Sequence, residues 1–103
     1  MNEFVFAAKT DDIPAGRGKT VRLGEKKIAL FNVDGAFYAI DDTCLHRGGP
    51  LGEGELEGCV VTCPWHGWKY DIRTGEMTMN PAARVKCYQT RVQSGDVQVF
   101  CSD

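Results

Sequence analysis

Two histidines are all the imidazole that this 103-residue chain possesses. It also lacks an excess of charge. Twelve Lys and Arg stand against fourteen Asp and Glu, a formal net charge of −2, which leaves no clustered basic surface of the kind nucleic acid requires. No apolar run approaches the ~18 residues that span a bilayer as a helix. The opening Met1-Asn2-Glu3-Phe4 has no basic stretch leading into an apolar core, so no secretory leader is expected. The expected location is the cytoplasm, with no membrane partner. Five cysteines are an odd number for a closed disulfide framework, and in a reducing compartment cysteines bind metal or stay free. Repeats, linkers and low-complexity tracts are missing, so residues 1–103 are expected to form one domain with one modest core.

A helical apolar period sustained over three turns is missing too, so any helix should be short. What is present is the punctuation of an all-β chain. Ile28-Ala29-Leu30-Phe31-Asn32-Val33 and Ala36-Phe37-Tyr38-Ala39-Ile40 read as strands joined by Asp34-Gly35, the strongest short hairpin signal. Phe4 to Ala7, Thr20 to Leu23, Cys59 to Thr62, Trp68 to Ile72, Val85 to Val92 and Val97 to Phe100 also read as strands. Gly24-Glu25, Thr74-Gly75 and Ser94-Gly95 supply turns. Three segments break the rhythm and read as loops: the glycine-rich stretch from Asp42 to Gly54, a loop opening at Cys63-Pro64, and one containing Asn80-Pro81-Ala82. Loops held by a rigid sheet are where sites usually form.

Both histidines fall in the first two of these loops, each close to a cysteine: Cys44-Leu45-His46, then Cys63-Pro64-Trp65-His66. Two soft thiolates and two imidazoles make a four-ligand set for iron–sulfur or for zinc. In one kind of [2Fe–2S] centre, two histidines replace two cysteines on one of the irons. One cysteine and one histidine per loop would let each loop grip both irons. Structural zinc sites usually group two cysteines and then two histidines, whereas here the types interleave. Zinc stays open as a rival, and a chance scatter of core cysteines and histidines as the blandest reading.

Cys44-Leu45-His46-Arg47-Gly48-Gly49-Pro50-Leu51, followed by Cys63-Pro64-Trp65-His66-Gly67-Trp68-Lys69-Tyr70-Asp71, resembles the Rieske [2Fe–2S] family over nearly the whole chain. The resemblance implies three stacked antiparallel β-sheets, two cluster loops and a third, proline-containing loop matched by Pro81. It implies one [2Fe–2S] cluster per chain. Cys44 and Cys63 would bind the inner iron, and His46 and His66 the outer one through ring nitrogens.

Rieske subunits of respiratory and photosynthetic complexes carry an extra cysteine in each loop, joined as a disulfide. The matching positions here are Gly49 and Trp65, so that bond is not expected. Those subunits have a serine where this chain has Trp68, while Tyr70 matches their cluster tyrosine. Cys59, Cys87 and Cys101 match no ligand position and are expected to be free structural thiols. Gly67-Trp68 resembles the Rieske domain of ring-hydroxylating oxygenases, but no histidine remains for their mononuclear iron. The resemblance therefore implies a stand-alone carrier without a substrate site, monomeric on its own. It would pass single electrons from a flavin-dependent reductase to a terminal oxygenase. The small subunit of an assimilatory NAD(P)H nitrite reductase is the alternative, and a redox-inert zinc interaction module the remote one.

Overall fold

The computed structural model describes residues 3–46, 48–65 and 67–101. In chain order its strands are β1 (Glu3–Lys9), β2 (Arg17–Leu23), β3 (Lys26–Val33), β4 (Ala36–Asp41), β5 (Glu55–Glu57), β6 (Val60–Thr62), β7 (Lys69–Asp71), β8 (Glu76–Met77), β9 (Asn80–Arg84), β10 (Cys87–Tyr88), β11 (Thr90–Gln93) and β12 (Asp96–Cys101). Single 3-10 turns occur at Thr10–Asp12 and Leu51–Glu53. Among the described residues no helix is long and apolar enough to cross a membrane.

The strands form three antiparallel sheets, in the orders β1-β12-β11, β10-β4-β3-β2 and β5-β6-β7-β8-β9. The middle sheet is apolar on both faces because β3 is. Ile28 and Leu30 point into one core with Ile13, Val21, Phe37, Val97 and Val99. Ala29 and Phe31 point the other way, into a second core with Ile40, Leu51, Val61, Tyr70 and Ile72. A strand buried on both sides reads as a continuous apolar run, as Ile28 to Phe31 does. Cys44 and Cys63 belong to the second core, so the candidate site is rooted in packed side chains.

The hairpin turns formed as expected. Asp34 and Gly35 have φ of 50° and 92°, the doubly left-handed turn whose twist matches its strands, and Val33 pairs with Ala36. Two expectations differ from the structure. The run from Val85 to Val92 is not one strand. Cys87 and Tyr88 pair with Ile40 and Ala39, whereas Thr90 to Gln93 pair with β12, so the chain changes sheets at Gln89. Asn80-Pro81-Ala82, read as a loop, opens β9, where Asn80 pairs with Met77. β9 is an edge strand, and only an edge tolerates a residue without an N–H.

The turn after β7 carries an ion pair, Asp71 with Arg73, at 3.0 Å between Oδ2 and Nη2. Hydrogen bonding from the Arg73 side chain holds the Asp71 carboxyl below the usual carboxylate range. A carboxyl lowered on folding adds stability that is present at neutral pH and lost as pH falls through its folded-state value. Asp71→Asn should therefore lower stability by at most about 1 kcal/mol at neutral pH, the upper end for exposed pairs. In urea titrations this difference should vanish in acid.

Candidate metal centre

The two loops close in the same way. In the first, the Cys44 N–H donates to the Gly49 carbonyl at 3.0 Å; in the second, the Cys63 N–H donates to the Trp68 carbonyl at 2.7 Å. Each bond runs from a cysteine to the residue five positions on. The Gly48 N–H donates back to the Cys44 carbonyl at 2.9 Å, which needs the left-handed backbone of Gly48, φ 73°. Thr43 bridges to Pro50 at the base of the first loop.

These closures bring the two thiols together in the interior, each only 2% exposed. Burial pushes the Cys63 thiol up, and hydrogen bonding with Cys44 adds to it. Tyr70 lies beneath them, fully buried. Its hydroxyl oxygen accepts from the Leu45 N–H at 3.0 Å and lies 3.4 Å from Cys44 Sγ. Burial and the Cys44 contact push the phenol well above its ordinary range, so it stays protonated and available as a donor. A Cys44 thiolate holding a metal can only accept, so against it the phenolic O–H would be the donor across the 3.4 Å to Sγ.

His46 lies exposed at the loop tip, its ring stacked on Trp68 of the other loop, with centroids 4.5 Å apart and planes 6° from parallel. His66, the fourth candidate ligand, lies outside the described residues. Leu45 and Trp65 flank the tip at 51% and 50% exposed. Across the loops, a Cβ on Gly49 would sit 2.8 Å from Cys63 Sγ and 3.2 Å from Trp65 Cβ. Gly49 and Trp65 thus face each other and meet by packing, with no disulfide between the loops, as expected. The remaining thiols, Cys59, Cys87 and Cys101, are free. Cys87 donates to the Arg73 carbonyl at 3.3 Å, and burial pushes its thiol up.

The donor chemistry fits a two-iron cluster. The two adjoining thiols are buried, and burial opposes ionisation of Cys63, so a bound cation is what would favour the thiolate form. Among the described residues no three His, Cys, Asp or Glu side chains converge on a point that one ion could fill. A His-ligated [2Fe–2S] centre needs no such convergence, because its cysteines and histidines serve different irons.

The family model for the Rieske [2Fe–2S] domain matches residues 3–89. The chain belongs to the Rieske [2Fe–2S] family. Its cofactor is accordingly a single [2Fe–2S] cluster. The biphenyl dioxygenase ferredoxin subunit of Pseudomonas sp. (strain KKS102) is 39% identical over 98 residues, 93% of this chain and 90% of that one. A Ralstonia protein, the ferredoxin component of naphthalene 1,2-dioxygenase/salicylate 5-hydroxylase systems, is 35% identical, covering 88% of both chains. Among solved structures, a chain in the complex of reduced oxygenase and oxidized ferredoxin of carbazole 1,9a-dioxygenase superposes with a TM-score of 0.84 at 31% identity, covering 94% of this chain and 92% of that one.

In this Rieske domain, sequence reasoning did not foresee the His46–Trp68 stack, the Leu45 bond to Tyr70, or the approach of Gly49 to Cys63. None has a sequence signal, because each joins residues far apart in the chain, from the two loops or from a loop and β7. The Tyr70 arrangement carries an expectation. Hydrogen bonds to cluster sulfur stabilise the reduced, more negative state. Tyr70→Phe should lower the potential by a few tens of mV, where 59 mV is tenfold for one electron. A redox titration showing no change would place the phenolic proton elsewhere.

Proposed function

We propose that the chain is a one-electron carrier whose [2Fe–2S] cluster is held by Cys44 and Cys63 on one iron and by His46 and His66 on the other. The observation that carries this reading is the pair of buried thiols, delivered side by side by two loops closed by the same hydrogen bond. The cluster supplies the electron-accepting centre. The chain's own residues bury the sulfur end, aim the Tyr70 hydroxyl at it, and present His46 at the surface.

Electrons would arrive from a flavin-dependent reductase and leave to a terminal oxygenase. Support comes from relatives above 30% identity that are ferredoxin components of dioxygenase systems. The likeness to a nitrite reductase small subunit from Mycobacterium tuberculosis, with a TM-score of 0.90 at 24% identity, is one of fold. The cytoplasm is the proposed location, and the protein has no substrate site of its own in this reading. The deciding experiment measures iron and acid-labile sulfide, expecting two of each per chain. It then follows electron delivery from the reduced protein to oxygenase and nitrite reductase partners. One zinc without sulfide would sink the reading.

Partners should dock over the His46 tip, where Leu45 and Trp65 expose apolar surface. Tryptophan is favoured at the centres of interfaces, and transient redox contacts are small. Trp65→Ala should weaken the partner complex about tenfold, roughly 1.4 kcal/mol, with the visible spectrum unchanged. A changed spectrum with unchanged transfer at matched driving force would make Trp65 a shield for the cluster.

A further inference from the structure

Asp42 stands two residues before Cys44 and is only 3% exposed. Its Oδ1 accepts from Thr20 Oγ1 at 2.8 Å and from the Gly52 N–H at 2.7 Å. Its own N–H donates to the Lys27 carbonyl at 3.0 Å, and its carbonyl accepts from the Leu51 N–H at 2.7 Å. One residue thus ties the root of the first cluster loop to β2, to β3 and to the 3-10 turn at Leu51–Glu53. The approach at Gly52 is close: a Cβ there would lie 2.6 Å from Thr20 N and Oγ1, so only glycine brings that N–H to the carboxylate.

Both donors on the carboxylate are neutral. Both reach Oδ1, and neither cancels the carboxylate's charge. Chain geometry keeps the Asp42 and Cys44 Cα atoms within about 7 Å, and charges in a protein interior interact more strongly than in water. Accepting an electron adds negative charge to a cluster held at Cys44. We propose that Asp42 is a positioning residue with a second effect: it locks the first loop to the sheet, and its fixed charge disfavours reduction. The inference rests on the ligand assignment above.

The test is a redox titration at fixed pH and ionic strength on protein with two measured irons and two sulfides per chain. A null result on such loaded protein counts against Asp42 and leaves the ligand assignment standing. Asp42→Asn keeps an acceptor oxygen for Thr20 and Gly52 and removes the charge. The reduction equilibrium should move about tenfold toward the reduced form, 59 mV for one electron. Thr20→Val keeps the charge and removes a hydroxyl dipole that partly offsets it. The equilibrium should move about threefold the other way, by the same dipole–charge reasoning. A loop merely loosened, admitting water, would shift both variants in the same direction. Opposite shifts support the proposal; shifts of the same sign, or an unmoved Asp42→Asn potential, overturn it. If Asp42→Asn yields no loaded protein, Thr20→Val decides: a lowered potential supports the role, and an unchanged or raised one overturns it.

Discussion

Cys63→Ala should yield protein with no iron and no sulfide, while its apo form remains folded. Two different energies separate these outcomes. Without metal, Cys63 is a small buried hydrophobe beside Val61 and Tyr70. Removing its sulfur leaves a small cavity and costs the apo protein about 1–2 kcal/mol, within the range for modest large-to-small core changes. With metal, binding free energy adds to folding free energy. A ligand at 1,000 times its dissociation constant contributes ~4 kcal/mol, and this variant loses all of it. Thermal unfolding should therefore show a wide gap between holo and apo wild type, with the Cys63→Ala protein slightly below the apo curve. Cys44→Ala should behave alike, since it is equally buried. His46→Ala makes the sharper comparison. His46 is exposed and stacked on Trp68, so truncation should lower apo stability by about 1 kcal/mol, the size of such an aromatic contact, yet still cost the cluster. Retention of two irons by any of the three variants would remove that residue from the ligand set.

The parts of this molecule that were legible in its sequence are those that local chemistry decides. Asp34-Gly35 and Ser94-Gly95 take positive φ at both positions, as two-residue hairpins demand, and the registers of the flanking strands follow from them. Ile28 to Val33 and Val97 to Phe100 were legible as strands, and both lie within strands of the structure. The Cys-x-His and Cys-x-x-His spacings marked the site before any fold was known. Tertiary pairing decided the rest. β8 is two residues long and exists because Met77 pairs with Tyr70 on one side and β9 pairs with it on the other. β5 is Glu55-Leu56-Glu57, which reads as solvated loop until Leu56 is seen opposite Val61. Gln89 carries no signal of a change of sheet, although its carbonyl accepts from the Phe100 N–H at 2.9 Å. Asp42 looked like a loop polar residue. Its burial depends on Thr20 and Gly52, residues 22 and 10 positions away.

Gly49→Ala should loosen or abolish cluster binding, although it adds a single methyl group. The added carbon would lie 2.8 Å from Cys63 Sγ and 3.1 Å from Trp65 Cγ, so one side must give. Cys63 has little room, being 2% exposed, and its N–H is fixed to Trp68. The first loop must then lift away from the second, which separates the two thiols that the cluster has to bridge. Overpacking of this kind costs about 1–3 kcal/mol, spent at the point where the loops meet. Gly48 supplies the control. Its φ is 73°, and among the described residues a Cβ there meets only Thr43 Cγ2, at 3.7 Å. Gly48→Ala strains the backbone by about 1 kcal/mol or somewhat more without pressing on the second loop. It should lower stability yet keep two irons and the native visible spectrum. Gly49→Ala should lose iron to a chelator at least tenfold faster. Equal cluster loss from both variants would mean that general loosening of the first loop, rather than the approach of Gly49 to Cys63, governs retention.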